Sequence, residues 1–558
     1  MHLLIREGLA RPLKSCFFFI IHADLVNFPG TQLAHYRIRP YCSRGICLLI
    51  NNVPKLALEA EKQLRDLFRY LSFNVKVRRS LKTLQMYKVA QEFAKKDHSK
   101  FDFFVVIIMS LGQGNDICGA EGGKASLEQM MTEYTATKCP SLRGKPKLFF
   151  VERVTFVKPS NVRDGSTQAQ CSTDTEIETQ PAFPLVFNVG NNCPEGADFL
   201  ITWMTSAVAK AKPVPEVLSI QVLIDAIRNW KSFHLLDILT KVNACMVDKH
   251  RSNRVMAAQV PYQNHTLRAK VHLGLPPFPD QDAGSAIPGY QFTDDIIDAQ
   301  RNRYELEKRP RGYCVIINNV KFRNRKDDRP GAVEDERSLK QIFDDLFFTV
   351  IVKTDLTKHQ MENVAAEYGA KDHTTFDAFV MIVMSHGGDG DCIMGVDGRE
   401  TSVKNLMVEF QETKCPSLKK KPKVFIIQTC RGESGSPAYN VSSQAVPSTS
   451  TQVNYELCDA SLLPDSTLPR SVFPAEADFV LAFATVPGYV SYRSPTDGTY
   501  FIQSLVKTIR EHRHHHHFLE ILMQITKLVV KKEEEGSRRR PTVQVPASMH
   551  TLTKCLYL

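Results

Sequence analysis

The chain lacks most of what would tie it to a metal, a membrane or a nucleic acid. Its 14 cysteines form no CxxC pair and no other zinc-like spacing. That excludes a zinc ribbon and reads as free thiols in a cytoplasmic chain. No stretch approaches eighteen consecutive apolar residues, so no membrane span is expected. The net charge of +11 is modest for 558 residues and sits partly in short runs at 419–421 and 538–540. Such runs read as solvated surface. The interleaving that nucleic-acid modules need is missing, so no nucleic-acid partner is expected. The HRHHHH run at 512–517 shows no pattern of acidic partners. Neither a metal nor a cofactor is therefore expected. The first residues begin basic and carry a short apolar run at 16–21, but His22 and Asp24 interrupt it and no cleavage box follows. Residues 1–40 read as a buried or disordered leader rather than a signal peptide.

What the chain does have, it has twice. GICLLINNV at Gly45 returns as GYCVIINNV at Gly312, and KKDHSKFDFFVVIIMS at Lys95 as AKDHTTFDAFVMIVMS at Ala370. TKCPSLRGKPKLFF at Thr137 returns as TKCPSLKKKPKVFI at Thr413, and HTLRAKVHL at His265 as HTLTKCLYL at His550. A unit of about 250 residues is far longer than a solenoid repeat, so a whole domain is duplicated. A hydrophobic content of 43% is enough for two full cores. The division reads as a leader at 1–40, a first copy at 41–273, a linker at 274–310 and a second copy at 311–558.

In the second copy, two apolar runs end in residues that suit catalysis. FDAFVMIVMSHGG ends at His386, and KPKVFIIQTCRG ends at Cys430. Runs of β-formers that end in small or polar residues read as buried parallel strands. Functional groups collect just past the carboxyl ends of such strands. Two adjacent strands would therefore set an imidazole beside a thiol, which is what nucleophilic cysteine chemistry requires.

QTCRG resembles the caspase signature QAC-[RQG]-G, departing from it at Thr429. GYCVIINNV, SHGGDG, AEADFVLAFATVPGYVSYR and DGTYFIQSL are also similar to caspases, so the resemblance spans 311–558. It implies an α/β fold: two caspase-like domains, each a mainly parallel six-stranded sheet flanked by helices, with pairing through the last strand. Helices are expected over 333–347, with Leu339, Ile342, Phe343 and Leu346 inward, and over 499–510. The second copy would divide into a large part at 311–432, a linker at 433–470 and a small part at 471–558.

The resemblance also implies the roles. Cys430 attacks the scissile carbonyl and His386 protonates the leaving amine. Backbone N–H groups of Gly387 and Cys430 receive the oxyanion. Arg329, Gln428 and Arg493 hold the carboxylate of a substrate aspartate, because guanidinium forks suit that anion. Ser491, Tyr492 and Arg493 line the path of the preceding residues. Processing, as in a zymogen, is expected at Asp459 or Asp465 in the Ser- and Pro-rich linker, and at Asp282 or Asp298 between the copies.

The first copy keeps the strands and loses these groups. Alignment places Leu111 at the position of His386, Val154 at that of Cys430 and Glu152 at that of Gln428. Arg329 and Arg493 have no counterparts. The expected function is a cysteine endopeptidase cutting protein substrates after aspartate in apoptosis-like signalling, with the first copy as a regulatory pseudo-enzyme. The competing class is a non-enzymatic decoy that binds other caspases. A relative directed at arginine or asparagine would need an acidic or neutral pocket, which the two arginines oppose. The partner for sheet pairing is either another caspase chain or, as an intrachain pseudo-dimer, the first copy itself.

Overall fold

The computed structural model describes residues 33–39, 43–113, 116–157, 196–209, 219–231, 233–252, 260–274, 302–325, 328–388, 391–431, 476–487, 491–536 and 544–558. The first copy contributes strands β1 (Gly45–Asn51), β2 (Phe73–Arg79), β3 (Phe103–Gln113), β4 (Lys147–Val157), β5 (Phe199–Ala209) and β6 (Tyr262–His265). The second contributes β7 (Tyr313–Asn318), β8 (Thr349–Thr354), β9 (Phe379–Met384), β10 (Lys423–Gln428), β11 (Phe479–Phe483) and β12 (Ala547–His550). The main helices are α1 (Pro54–Tyr70), α2 (Thr83–Ala94), α3 (Ser219–Trp230) and α4 (Leu235–Ser252), then α5 (Ala332–Asp345), α6 (Lys358–Gly369), α7 (Tyr500–His512) and α8 (Phe518–Gly536).

The central strands are apolar at successive positions because both faces of the sheet are covered. Along β9, Val380, Ile382 and Met384 join one apolar layer, while Phe379, Met381 and Val383 join the other. The face packed by α1, α3, α4, α5, α7 and α8 carries the first layer, and α2 and α6 pack on the second. Each layer contains residues of both copies. Among the described residues the strands form one 14-stranded sheet, ordered β8-β7-β9-β10-β11-β12-β6-β5-β4-β3-β1-β2, with one short strand paired to β3 and a second paired to that one. Pairing is parallel from β8 to β11 and from β2 to β5.

The two copies join edge to edge within the chain. β12 pairs antiparallel with β6, with Ser548 opposite His265, Met549 opposite Asn264 and His550 opposite Gln263. Asn243 of α4 adds a hydrogen bond from Nδ2 to the Leu552 carbonyl at 3.0 Å. His265 and His550 are buried at this joint, and burial pushes both imidazoles well below their usual value, holding them neutral.

The helix boundaries differ slightly from the sequence expectation. α5 starts one residue early, after Gly331 at φ 81, and ends before Phe347, whose φ of 64 cannot continue a helix. Thr499 is the cap of α7 rather than its first residue, its hydroxyl accepting from the Ile502 N–H at 3.3 Å. The four inward residues expected for α5 are all buried. No helix among the described residues is long and apolar enough to cross a membrane.

Candidate active site

Strand register brings the thiol and imidazole loops together. β9 and β10 are neighbours, with Met384 opposite Gln428. His386 and Cys430 each follow their strand's last paired residue by two positions, so both leave the sheet at the same level. The Ser385 N–H donates to the Gln428 carbonyl at 3.2 Å, tying the two loops beyond the ladder. Gly387 then packs directly on the Cys430 backbone. A Cβ at Gly387 would overlap the Cys430 carbonyl oxygen and lie 2.8 Å from its carbon. Only glycine allows this approach. His386 is buried and its ring sits 4.8 Å from that of Phe322. The Ser491 N–H donates to Cys430 Sγ at 3.4 Å, and the thiol lies 4.0 Å from the Ser491 carbonyl oxygen.

The residues expected to hold the substrate carboxylate lie on three neighbouring segments. Gln428 Nε2 donates to Ser491 Oγ at 2.6 Å, and Gln428 Oε1 has no hydrogen-bond partner among the described residues. Arg493, two residues beyond Ser491, is 3% exposed, and its Nη1 likewise has no partner among the described residues. Arg329 is 1% exposed, its Nη1 donating to the Asn319 carbonyl at 2.8 Å. The loop that carries Arg329 lies against the segment that carries Arg493. A Cβ on Gly331 would come within 2.9 Å of the Pro495 carbonyl oxygen. Tyr492 is buried beside Tyr500, with ring centroids 6.2 Å apart.

Several residues of this site escaped the sequence reading. Gln544 is fully buried. Its Oε1 accepts from the Tyr492 N–H at 3.0 Å, and its Nε2 donates to the Ala484 carbonyl at 2.8 Å and to Ser491 Oγ at 3.1 Å. It thereby fixes the segment that carries Ser491 to Arg493. Asp335 accepts from the Thr499 N–H at 3.0 Å and from Gln503 Nε2 at 2.9 Å, and burial raises its carboxyl to about 6. Arg431, by contrast, reads from the sequence as a structural ion-pair partner rather than a reactant, and it does form a buried ion pair with Asp391, lying 3.6 Å over the Phe483 ring. Burial lowers its guanidinium to about 9. Asn319 joins the pocket to the imidazole loop. Its Nδ2 donates to Ser385 Oγ at 3.2 Å and its N–H to the Met384 carbonyl at 2.9 Å. One signal did exist for Asn319. The first copy repeats it as Asn52, which donates to the Cys118 carbonyl and accepts from the Leu81 N–H as Asn319 donates to the Met394 carbonyl and accepts from the Leu356 N–H.

The first copy shows what replaces the site. Its register equates Met109–Glu152 with Met384–Gln428 and makes Leu111 and Val154 ladder partners. Where β9, β10 and β11 stop, β3, β4 and β5 continue. The loop position of the thiol has become sheet. Glu152 is fully buried; it accepts from Ser206 Oγ and from the Ile220 N–H, at the start of α3, at 2.9 Å. Burial lifts its carboxyl to about 7 against these hydrogen bonds. Glu152 thus holds a buried carboxyl at the register position of Gln428.

The expectation that the histidine run lacks acidic partners is overturned. His516 Nδ1 lies 3.0 Å from Glu520 Oε2, one turn along α8, and His517 Nε2 lies 2.8 Å from Asp237 Oδ1 of the first copy. The second partner comes from a residue 280 positions away, which no local pattern reveals. Asp282, Asp298, Asp459 and Asp465 lie outside the described residues.

Comparison with known proteins agrees with this geometry. The caspase-domain family model matches twice, over residues 44–272 and 311–557. Rat (Rattus norvegicus) caspase-8 is 37% identical over 233 residues, 40% of this chain and 46% of its own length. Human (Homo sapiens) caspase-10 is 35% identical over 209 residues, 37% of each chain. Golden hamster (Mesocricetus auratus) caspase-3 is 34% identical over 213 residues, 38% of this chain and 69% of its own length. The chain thus spans about half or less of the caspase-8 and caspase-10 relatives it matches. Two matches in tandem, joined through one sheet with a thiol and an imidazole at its strand ends in the second, make this chain a member of the caspase family.

Proposed function

We propose that the second copy is a cysteine endopeptidase that cleaves protein substrates after aspartate, and that the first is a pseudo-enzyme domain serving as its built-in partner. The observation that carries this reading is the in-register departure of His386 and Cys430 from β9 and β10, closed by Gly387 on the Cys430 backbone. Cys430 Sγ attacks the scissile carbonyl carbon, and the N–H groups of Gly387 and Cys430 take the developing oxyanion. His386 delivers a proton to the departing amine, then draws one from the water that hydrolyses the thioester. The Ser491 N–H holds the Cys430 sulfur in place before attack.

Specificity for aspartate rests on Arg329, Arg493 and Gln428. A buried guanidinium with an open donor, as at Arg493, is costly until an anion meets it. An asparagine substrate leaves that charge unpaired, so it is rejected. Ser491, Tyr492 and Arg493 present backbone and ring to the residues upstream of the cut. We place the activity in cytoplasmic, apoptosis-like signalling, with zymogen processing at Asp298, Asp459 or Asp465.

The shared sheet supports the role given to the first copy. Through β6 it offers β12 the antiparallel edge that a second chain would otherwise supply. A linker of about 35 residues keeps that edge at high effective concentration. The test is a fluorogenic peptide ending in aspartate, with its asparagine counterpart, and an aspartyl thiol-reactive label, applied to the full chain. Cleavage and labelling are expected for aspartate alone and neither with Cys430→Ala. A chain that neither cuts nor labels is a binding protein, and the reading fails.

A further inference from the structure

The joint between the copies has a broken symmetry. In the first copy the Leu235 N–H donates to the Val271 carbonyl at 2.8 Å, and the Lys270 N–H to the Ala34 carbonyl at 2.8 Å. In the second, the Phe518 N–H donates to the Leu556 carbonyl at 2.6 Å, and the Cys555 N–H to the Asn302 carbonyl at 2.9 Å. These matching bonds equate His234 with His517, Asp237 with Glu520, and Lys270 with Cys555. At one pole Lys270 of the first copy forms an ion pair with Glu520 of the second. At the mirror pole a cysteine stands in the lysine's place, and Asp237 faces it.

That pole gathers three different donors. An oxygen of Asp237, a nitrogen of His517 and the sulfur of Cys555 all lie within 4.8 Å of one another. His517 is 3% exposed. Its Nε2 is 2.8 Å from Asp237 Oδ1, yet neither atom has a hydrogen bond of acceptable geometry among the described residues. A buried nitrogen and oxygen that face each other without a directed bond call for an explanation, and an ion between them is one that fits. We infer that Asp237, His517 and Cys555 form a binding site for a divalent cation of the zinc class, which clamps the first copy to the second.

The chemistry fits. Zinc takes nitrogen, oxygen and thiolate ligands tetrahedrally at ~2.0–2.3 Å, which sets donors ~3.3–3.6 Å apart. The Nε2–Oδ1 pair has only to open by about half an ångström, and the sulfur to close in, to meet that. Binding forms a metal–sulfur bond and releases the Cys555 proton to solvent. His517 ligates as the neutral imidazole, so any proton on Nε2 leaves as well, and the divalent cation then offsets one carboxylate and one thiolate, as Lys270 offsets Glu520 at the mirror pole. Because the thiol gives up its proton on binding, uptake weakens as pH falls. The fourth position belongs to water or to Glu520, whose Oε1 is 3.8 Å from His517 Nε2. His516 and Lys270 hold that carboxylate in place.

Cobalt(II) is the probe, titrated into the full chain carrying Cys430→Ala so that the thiol at the active site is absent. One equivalent is expected to bind, with a thiolate-to-cobalt charge-transfer band. Adding Cys555→Lys, which copies the mirror pole, should remove the band and keep the unfolding midpoint. Asp237→Asn should weaken binding by about tenfold or more. Zinc should raise the midpoint of the parent and not of Cys555→Lys. If Cys555→Lys does not fold, Cys555→Ser serves, with the band lost and the fold kept. A parent without the band overturns the inference, as does a band undiminished in the folded Cys555 variant or an unchanged affinity in Asp237→Asn.

Discussion

Replacing Gly387 by alanine tests how tightly the imidazole loop must sit on the thiol loop. The added methyl would overlap the Cys430 carbonyl oxygen and lie 2.8 Å from its carbon. Non-bonded carbons rest at ~3.5–4.0 Å, so the backbones must separate by at least ~0.7 Å. Both obstacles are main-chain atoms, so no side-chain rotation relieves them. His386 immediately precedes the glycine and Cys430 bears the obstructing carbonyl, so the separation acts directly on the reacting pair. A displacement of ~1 Å at a reacting centre costs about 100-fold in rate, or ~2.7 kcal/mol. Overpacking of this kind destabilises a fold by ~1–3 kcal/mol, which a chain with two full cores should survive. The expected result is a kcat/KM at least about 100-fold lower against an aspartate peptide, with cooperative unfolding kept and the midpoint moderately reduced. Catalytic efficiency within about threefold of the parent would refute the reasoning, because the two loops would then not need their close approach.

Cys430→Ala should lower turnover by about 10⁴-fold or more while leaving the unfolding midpoint nearly unchanged; residual peptide cleavage above background would remove Cys430 as nucleophile. Arg493→Lys keeps the charge but loses the planar fork, so kcat/KM should fall by about 10- to 100-fold, and near-parental kinetics would place the pocket elsewhere. Gln544→Ala leaves the Tyr492 N–H and the Ala484 carbonyl without their partner, which should cost ~1–3 kcal/mol of stability and raise KM; an unchanged KM would deny Gln544 its positioning role. Glu152→Gln tests the first copy by pH. The Glu152 carboxyl is raised in the folded chain to about 7, so the folded state holds its proton where the unfolded state has lost it. Stability from this group is therefore present below its unfolded value of 4.5 and is lost as pH rises to about 7. The glutamine variant should match the parent near pH 5 and exceed it by up to ~3 kcal/mol above pH 7, measured by denaturant unfolding. A pH-independent difference would contradict the burial of that carboxylate.

The site was legible wherever chemistry and local pattern coincide. A run of buried strand residues ending in His386 or Cys430 announces both the strand and what stands at its end. The repeated HTLRAKVHL and HTLTKCLYL pointed near the edge at which the copies pair, but β6 and β12 end at the first residue of each motif, His265 and His550, and the rest of the pairing lies in the residues before them. What stayed hidden depends on contacts between distant segments. Gln544 stands some fifty residues from the Ser491–Tyr492 backbone it holds, separated by two helices, and nothing local marks it. Asp335 reads as an ordinary acid in a helix's first turn until Thr499 and Gln503 arrive from α7 and its cap. The extended β3, β4 and β5 were missed for a different reason. The loss of His and Cys from the first copy was visible, but not that Leu111 and Val154 would turn the vacated loops into ladder.

The central claim is that the second copy works as a caspase using the first as its partner inside one chain. Specific activity of the intact full-length chain against an aspartate peptide, followed over serial dilution alongside light scattering, tests it most directly. The claim predicts a monomer whose activity per chain stays constant as concentration falls, and loses most of that activity when Asn264→Pro breaks the β6 edge opposite Met549. Activity that falls with dilution as dimers dissociate, and is indifferent to Asn264→Pro, would contradict it.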